Sequence, residues 1–205
     1  MVRDLQPNLS HPSRSGQDLF FPGRSVLMVD ARSTYASLHY LNADIDYRKL
    51  RALFFGDMPL VRALVYALTT DGEYSSMRPF LDWLAYNGYV VREKLGRAFV
   101  DANGRHALKG RVSLEMTIDA LEMAATMEHL ILFSGDSNLA ALIKAVQRKG
   151  VRVTTVSLLT SNPPMISTEL RRQSDHFVDL RDLMPFIGRP RPSRDRVSSV
   201  AERTA

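Results

Sequence analysis

Between Leu130 and Ser157 the chain runs from an apolar stretch (LILF) through Ser134-Gly135-Asp136-Ser137-Asn138 into an amphipathic segment, then Gly150 and a β-branched run (VRVTTVS). The apolar period passes from a continuous run to helical spacing and back, so the segment reads as strand, turn, helix, strand. Two strands joined by one crossover helix lie parallel. Asp136 then stands just past the carboxyl end of a strand, where α/β folds place their ligands. Ser25–Val29 repeats the first half of this pattern, with Asp30 at its carboxyl end. Two carboxylates are therefore expected to converge on one edge of a sheet.

The rest of the chain continues the alternation. Its patterning predicts strand 25–30, helix 34–41, helix 47–55 capped by Asp46, strand 60–68, helix 75–87 capped by Ser75 and stopped by Gly88, and strand 89–95. A hairpin follows, because Phe99-Val100 and Ala107-Leu108 flank the turn signal Asp101-Ala102-Asn103-Gly104. Helix 113–127, strand 129–133, helix 138–149, strand 151–157, helix 166–174, strand 176–179 and a last helix from Leu180 complete it. Strands alternating with helices imply an α/β, Rossmann-like three-layer fold, a central mostly parallel sheet covered on both faces. Residues 1–24, rich in Pro, Ser and Gly, read as an irregular lead-in, 25–187 as the domain, and 188–205 as a basic disordered tail.

Composition narrows the chemistry. The chain has no cysteine, which excludes disulfides and thiolate zinc sites and leaves oxygen or imidazole ligands suited to Mg²⁺ or Mn²⁺. No apolar run reaches the 18 or so residues of a membrane span and no signal-peptide core is evident, so a cytoplasmic location without membrane contact is expected. From Gly188 onward five arginines face two acids, so that end holds +3 of the net charge of +5 and the domain itself is nearly neutral. Such a tail adds salt-sensitive affinity for phosphate backbones or simply keeps the protein soluble.

In the segment after Ser113, Glu115, Asp119 and Glu122 fall at i, i+4 and i+7, while Leu114, Ile118 and Leu121 are expected to form the buried stripe. If Asp119 points toward the edge that holds Asp30 and Asp136, three carboxylates repel one another unless a divalent cation neutralises them. A cation held there would polarise a phosphodiester and activate a water, which predicts phosphodiester hydrolysis. The plain alternatives are turn-capping aspartates and a solvated helix face. Lys94, Lys109 and Arg111 flank the expected edge as phosphate contacts or as solvated charges. The five histidines show no ligand spacing and read as surface or cap residues. Trp83, Tyr86 and Tyr89 read as core packing rather than a base-stacking platform.

Four blocks, SVLMVDARSTY, KGRVSLEMTIDALEMA, LILFSGDSNLAALIKAVQRKGVRV and PPMISTELRRQSDHFVDL, in this order and spacing, resemble the NYN domain family, the LabA-like branch of the PIN-like ribonucleases. The resemblance implies a PIN-like fold over 25–187, RNA as partner, no small-molecule cofactor, and a Mg²⁺- or Mn²⁺-dependent endoribonuclease with Asp30, Asp119 and Asp136 as metal-binding, catalytic acids. Several positions depart from the family pattern. Ser33 stands where it has asparagine, Ser113 where it has an acid opening the helix, and Asn138 where it has an acid two residues after the SGD aspartate. Ser113 also suits an N-cap, Ser137 can cap the next helix, and Glu115 lies one turn before Asp119 as an auxiliary acid. Arg32, in the turn after the first strand, is placed to contact RNA phosphate or an internal acid. The resemblance therefore implies either a weakened ribonuclease or a catalytically inactive RNA-binding or regulatory pseudo-nuclease, and it leaves the oligomeric state open.

Overall fold

The computed structural model describes residues 16–54, 57–70, 77–100 and 106–190. After a 3-10 turn at Gly16–Leu19 come β1 (Ser25–Asp30), α1 (Ala31–Tyr40), β2 (Ala43–Ile45), α2 (Tyr47–Ala52), β3 (Leu60–Thr69), α3 (Arg78–Tyr86) and β4 (Val90–Leu95). The chain continues with hairpin strands β5 (Arg97–Val100) and β6 (His106–Lys109), then α4 (Ser113–Met123), β7 (His129–Phe133), α5 (Ala140–Gln147), β8 (Arg152–Ser157), α6 (Thr168–Gln173), β9 (His176–Asp179), α7 (Leu180–Ile187) and β10 (Gly188–Pro190). Six strands form one sheet in the order β4-β3-β1-β7-β8-β9, with every neighbouring pair parallel. The chain leaves β1 toward β3 on one side and returns to pair β7 on the other, so the strand order reverses between β1 and β7.

β1 and β7 are buried at every position because both sheet faces are covered. Their side chains still alternate. Leu27, Val29, Ile131 and Phe133 meet Leu38 of α1, Leu50 of α2, Leu84 of α3 and Leu183 of α7. Val26, Met28, Leu130 and Leu132 meet Met116 of α4, Ile143 of α5 and Leu170 of α6. Each such side chain contributes about 1.5–3 kcal/mol relative to leaving it in water. Aspartates open several helices: Asp46 accepts from the amides of Arg48 and Lys49 at 2.9 and 3.2 Å, and Asp179 from that of Arg181 at 2.9 Å. Among the described residues, no helix is long and apolar enough to cross a membrane.

Several sequence expectations shift. On α4 the apolar stripe faces the other way: Met116 and Ala120 are fully buried, while Leu114, Ile118 and Leu121 are exposed. Ser113 is the first residue of α4 rather than its cap; the cap position is Val112, which makes no side-chain bond. Asp136, not Ser137, caps the next segment, a 3-10 turn at Ser137–Leu139 that precedes α5. Three elements are additional to the expected list: the 3-10 turn in the lead-in, β2 and β10. β10 pairs antiparallel with β2, and Arg189 binds Asp44 at 2.6 Å, so the first residues of the expected tail belong to the fold. Phe20 and Phe21 of the lead-in are also buried. The Asp101–Gly104 turn, the Ser75 cap, residues 1–15 and residues 191–205 lie outside the described residues.

His129 corrects the expectation of surface histidines, since it is wholly buried. Nδ1 lies 3.2 Å from the Phe21 carbonyl oxygen and Nε2 2.8 Å from the Thr154 hydroxyl. A neutral ring satisfies both, donating from Nδ1 and accepting at Nε2. Burial pushes its pKa down to about 3, against a partial opposing effect of the Phe21 carbonyl. Burial also lowers that of His176, whose ring meets Phe21 at 5.6 Å.

Because the unfolded chain protonates these histidines near pH 6.5 and the folded chain resists, their contribution is complete above about pH 6.5 and declines as pH falls toward the folded value. Thermal melting between pH 7.5 and 5 is expected to show a falling Tm, with a shallower slope in His129→Gln. An unchanged slope in that variant would contradict the assignment. Truncation after Ile187, compared with truncation after Pro190, is expected to lower Tm by roughly 2–4 °C through loss of the β2–β10 ladder, worth about 1 kcal/mol. Equal melting of the two truncations would show that the ladder contributes nothing.

Candidate nucleic-acid cleft

β1 feeds α1 on one face of the sheet and β7 feeds α5 on the other, so the two connections part and leave a cleft at the carboxyl ends. The cleft holds about 340 Å³ and is lined by Asp30, Arg32, Ser33, Tyr66, Arg111 and Asp136, with Gly110 and Val112 at its margin.

Asp30 is 7% exposed and serves the backbone first. Its Oδ1 accepts from the amides of Arg32 and Ser33 at 3.1 and 3.3 Å, capping α1 as Asp46 caps α2. Its Oδ2 accepts from the Ser134 hydroxyl at 3.1 Å, and the oxygen of that hydroxyl accepts in turn from the Asp136 amide at 3.2 Å. One serine thus couples the two strand ends. The Ser33 hydroxyl accepts from the Gly135 amide at 3.4 Å, a role that the family's asparagine oxygen could equally fill. Gly135 is required by packing, because a Cβ there would fall on the Met165 carbonyl oxygen.

Asp136 caps its 3-10 turn through Oδ1, which accepts from the Asn138 amide at 3.1 Å and from Asn138 Nδ2 at 2.6 Å. Arg111 Nη1 lies 3.7 Å from the same oxygen, and that guanidinium is 69% exposed, so the pairing is loose. Arg32 Nη1 reaches the Gly110 carbonyl at 3.5 Å. Two guanidinium groups and the Ser33 hydroxyl thus accompany the two carboxylates.

The third aspartate stands behind Tyr66 and does not line the cleft itself. Asp119 Oδ2 accepts from the Tyr66 hydroxyl at 2.8 Å and from Arg92 Nε at 3.1 Å. Tyr66 is in register with Asp30 on one side and with Arg92 on the other, so the three form a row across β1, β3 and β4. Burial, reinforced by the bond to Asp119, raises the Tyr66 pKa far above the ordinary phenol range, so its proton stays on the Asp119 bond. Two residues further along β4, Lys94 Nζ lies 2.7 Å from Glu115 Oε1. Four residues of helix rise about 6.0 Å and two of strand about 6.6 Å, so Asp119/Glu115 and Arg92/Lys94 match rung for rung.

The expected convergence of three acids is therefore not met. Asp30 and Asp136 line the cleft, Asp119 is held by Tyr66 and Arg92, and Glu115 by Lys94. Among the described residues no three acids or histidines gather around one point that could hold a metal ion. A shared Asp30–Asp119–Asp136 metal centre does not fit this arrangement. Of the expected RNA contacts, Arg32 and Arg111 line the cleft, Lys94 is in the ion pair, and Lys109 is exposed. Ser134, Tyr66 and Arg92 were not expected. Ser134 was legible as the hydroxyl opening the SGD turn, whereas Tyr66 and Arg92 required the register. Tyr89 is buried, and Trp83 lies beneath Arg48 with the guanidinium carbon 5.3 Å from the ring centroid; Tyr86 instead is 90% exposed.

Comparison with known proteins completes the picture. The NYN domain profile matches residues 24–181. The Low amplitude and bright protein LabA of Synechococcus elongatus is 29% identical over 180 residues, covering 84% of this chain and 94% of that protein. The crystal structure of a protein of unknown function from Vibrio parahaemolyticus shares the fold with a TM-score of 0.64 at 24% identity, over 81% of this chain and 96% of that one. The chain belongs to the NYN domain family, and its parallel sheet with a cleft at the strand reversal is a nuclease-like, RNA-related domain.

Proposed function

We propose that this protein is a cytoplasmic RNA-binding member of its family, holding the phosphodiester backbone in the β1–β7 cleft without cutting it. The observation that carries the reading is the pair of ionic rungs between α4 and β4: Asp119 and Glu115, the acids available to complete a metal centre, are each bound to a cation of the chain itself. Asn138 in place of the family's acid adds a neutral group where charge is needed, and its amide ties down Asp136. The remaining donors, Arg32, Arg111 and the Ser33 hydroxyl, suit phosphate oxygens.

One observation favours a second reading, a residual Mg²⁺- or Mn²⁺-dependent ribonuclease. Asp30 and Asp136 line the same cleft, and among the described residues Asp30 accepts only from neutral donors.

A single experiment separates the two. Fluorescently labelled single-stranded RNA is titrated with the full chain in EDTA and in Mn²⁺, and its length is followed on gels. Binding is expected to persist in EDTA. In Arg32→Gln/Arg111→Gln it is expected to weaken by about tenfold, with the salt slope reduced by about 1.4 for two lost phosphate contacts. RNA is expected to stay intact in Mn²⁺. Binding that disappears in EDTA, or cleavage in Mn²⁺ that Asp30→Asn abolishes, would refute the proposal and establish the second reading.

A further inference from the structure

The outward face of α4 is apolar. Leu114, Ile118 and Leu121 stand at i, i+4 and i+7 and are 63, 48 and 37% exposed. This is the spacing of the a/d seam by which one helix packs on another. The row faces outward because Met116, Ala120 and Ala124 occupy the core side, with the Arg92–Asp119 and Lys94–Glu115 pairs spanning α4 and β4. The neighbouring hairpin adds Phe99, 44% exposed.

We infer that this ridge is the interface of a symmetric homodimer in which α4 packs antiparallel against α4 of a second copy. Charge selects that occupant. Lys109 stands exposed just before the positive amino end of α4, and Glu122 is exposed at its negative carboxyl end. Antiparallel pairing brings each Glu122 toward the other copy's Lys109, and the two-fold axis makes the contact twice. Area agrees. The four large side chains expose on the order of 400 Å² of mainly apolar surface, the apolar centre of a patch of about 800 Å² that each partner brings to a standard interface. Val112, which precedes α4, also lines the cleft, so the dimer holds its two clefts beside the shared seam.

Sedimentation velocity of the full chain tests this. The wild type is expected at twice 23.1 kDa. Ile118→Glu is expected at the single mass, with unchanged circular dichroism and melting. Leu114→Ser serves as a second variant should the first fail to fold. Glu122→Lys is expected to weaken association by about tenfold, and adding Lys109→Glu to restore it to within about threefold. A wild type at the single mass at its highest soluble concentration would overturn the inference. So would an Ile118→Glu protein that keeps the doubled mass, or charge variants that leave association unchanged.

Discussion

Two ionic rungs between α4 and the edge strand β4 set the character of this molecule. Arg92 meets Asp119 and Lys94 meets Glu115, and the spacing works because one helical turn and two strand residues advance by nearly the same distance. The first rung is the stronger, since Asp119 is largely buried and also accepts from the Tyr66 hydroxyl. Removing one member of it would leave a partly desolvated charge without its counter-ion, which costs far more than losing a surface pair. The rungs hold α4 at one rotation about its axis. That rotation puts Met116 and Ala120 into the core and leaves an apolar row outside.

The same rungs decide what the cleft contains. A parallel sheet whose order reverses between β1 and β7 opens a cleft there regardless of sequence, but its contents depend on which side chains have been claimed by the scaffold. Asp30 and Asp136 both cap the segments that follow them, with the geometry Asp46 shows far from the cleft. Capping engages one oxygen and is worth about 1 kcal/mol, so it does not by itself assign a residue to structure or to chemistry. What distinguishes the cleft is the Ser134 hydroxyl, which joins Asp30 to the Asp136 turn, and the two arginines beside them. The balance of charge there is mixed, two carboxylates beside two guanidinium groups.

The fold was legible in the sequence where the signal was local. Continuous apolar runs marked β1 and β7 because strands covered on both faces need no polar alternation, and Asp46 and Gly88 marked helix ends through their own backbone chemistry. The SGD turn announced the position of Asp136. The rotation of α4 was not legible, because Leu114-Ile118-Leu121 and Met116-Ala120-Ala124 are both apolar rows at helical spacing, and local pattern cannot say which one meets the sheet. The observed rotation goes with the Arg92 and Lys94 pairs, whose proximity to α4 depends on strand register. The burial of His129, expected at the surface or in a cap, was not legible for a related reason: a lone histidine opening an apolar strand carries no mark of the Thr154 hydroxyl and Phe21 carbonyl that satisfy it.

The claim on which the account turns is that Asp119 answers to Arg92 and Tyr66 and not to a metal ion shared with Asp30 and Asp136. Calorimetric titration of Mn²⁺ into the wild type and into Asp119→Asn measures this directly. No saturable heat that the substitution removes is expected. A stoichiometric Mn²⁺ binding event present in the wild type and lost in Asp119→Asn would contradict it.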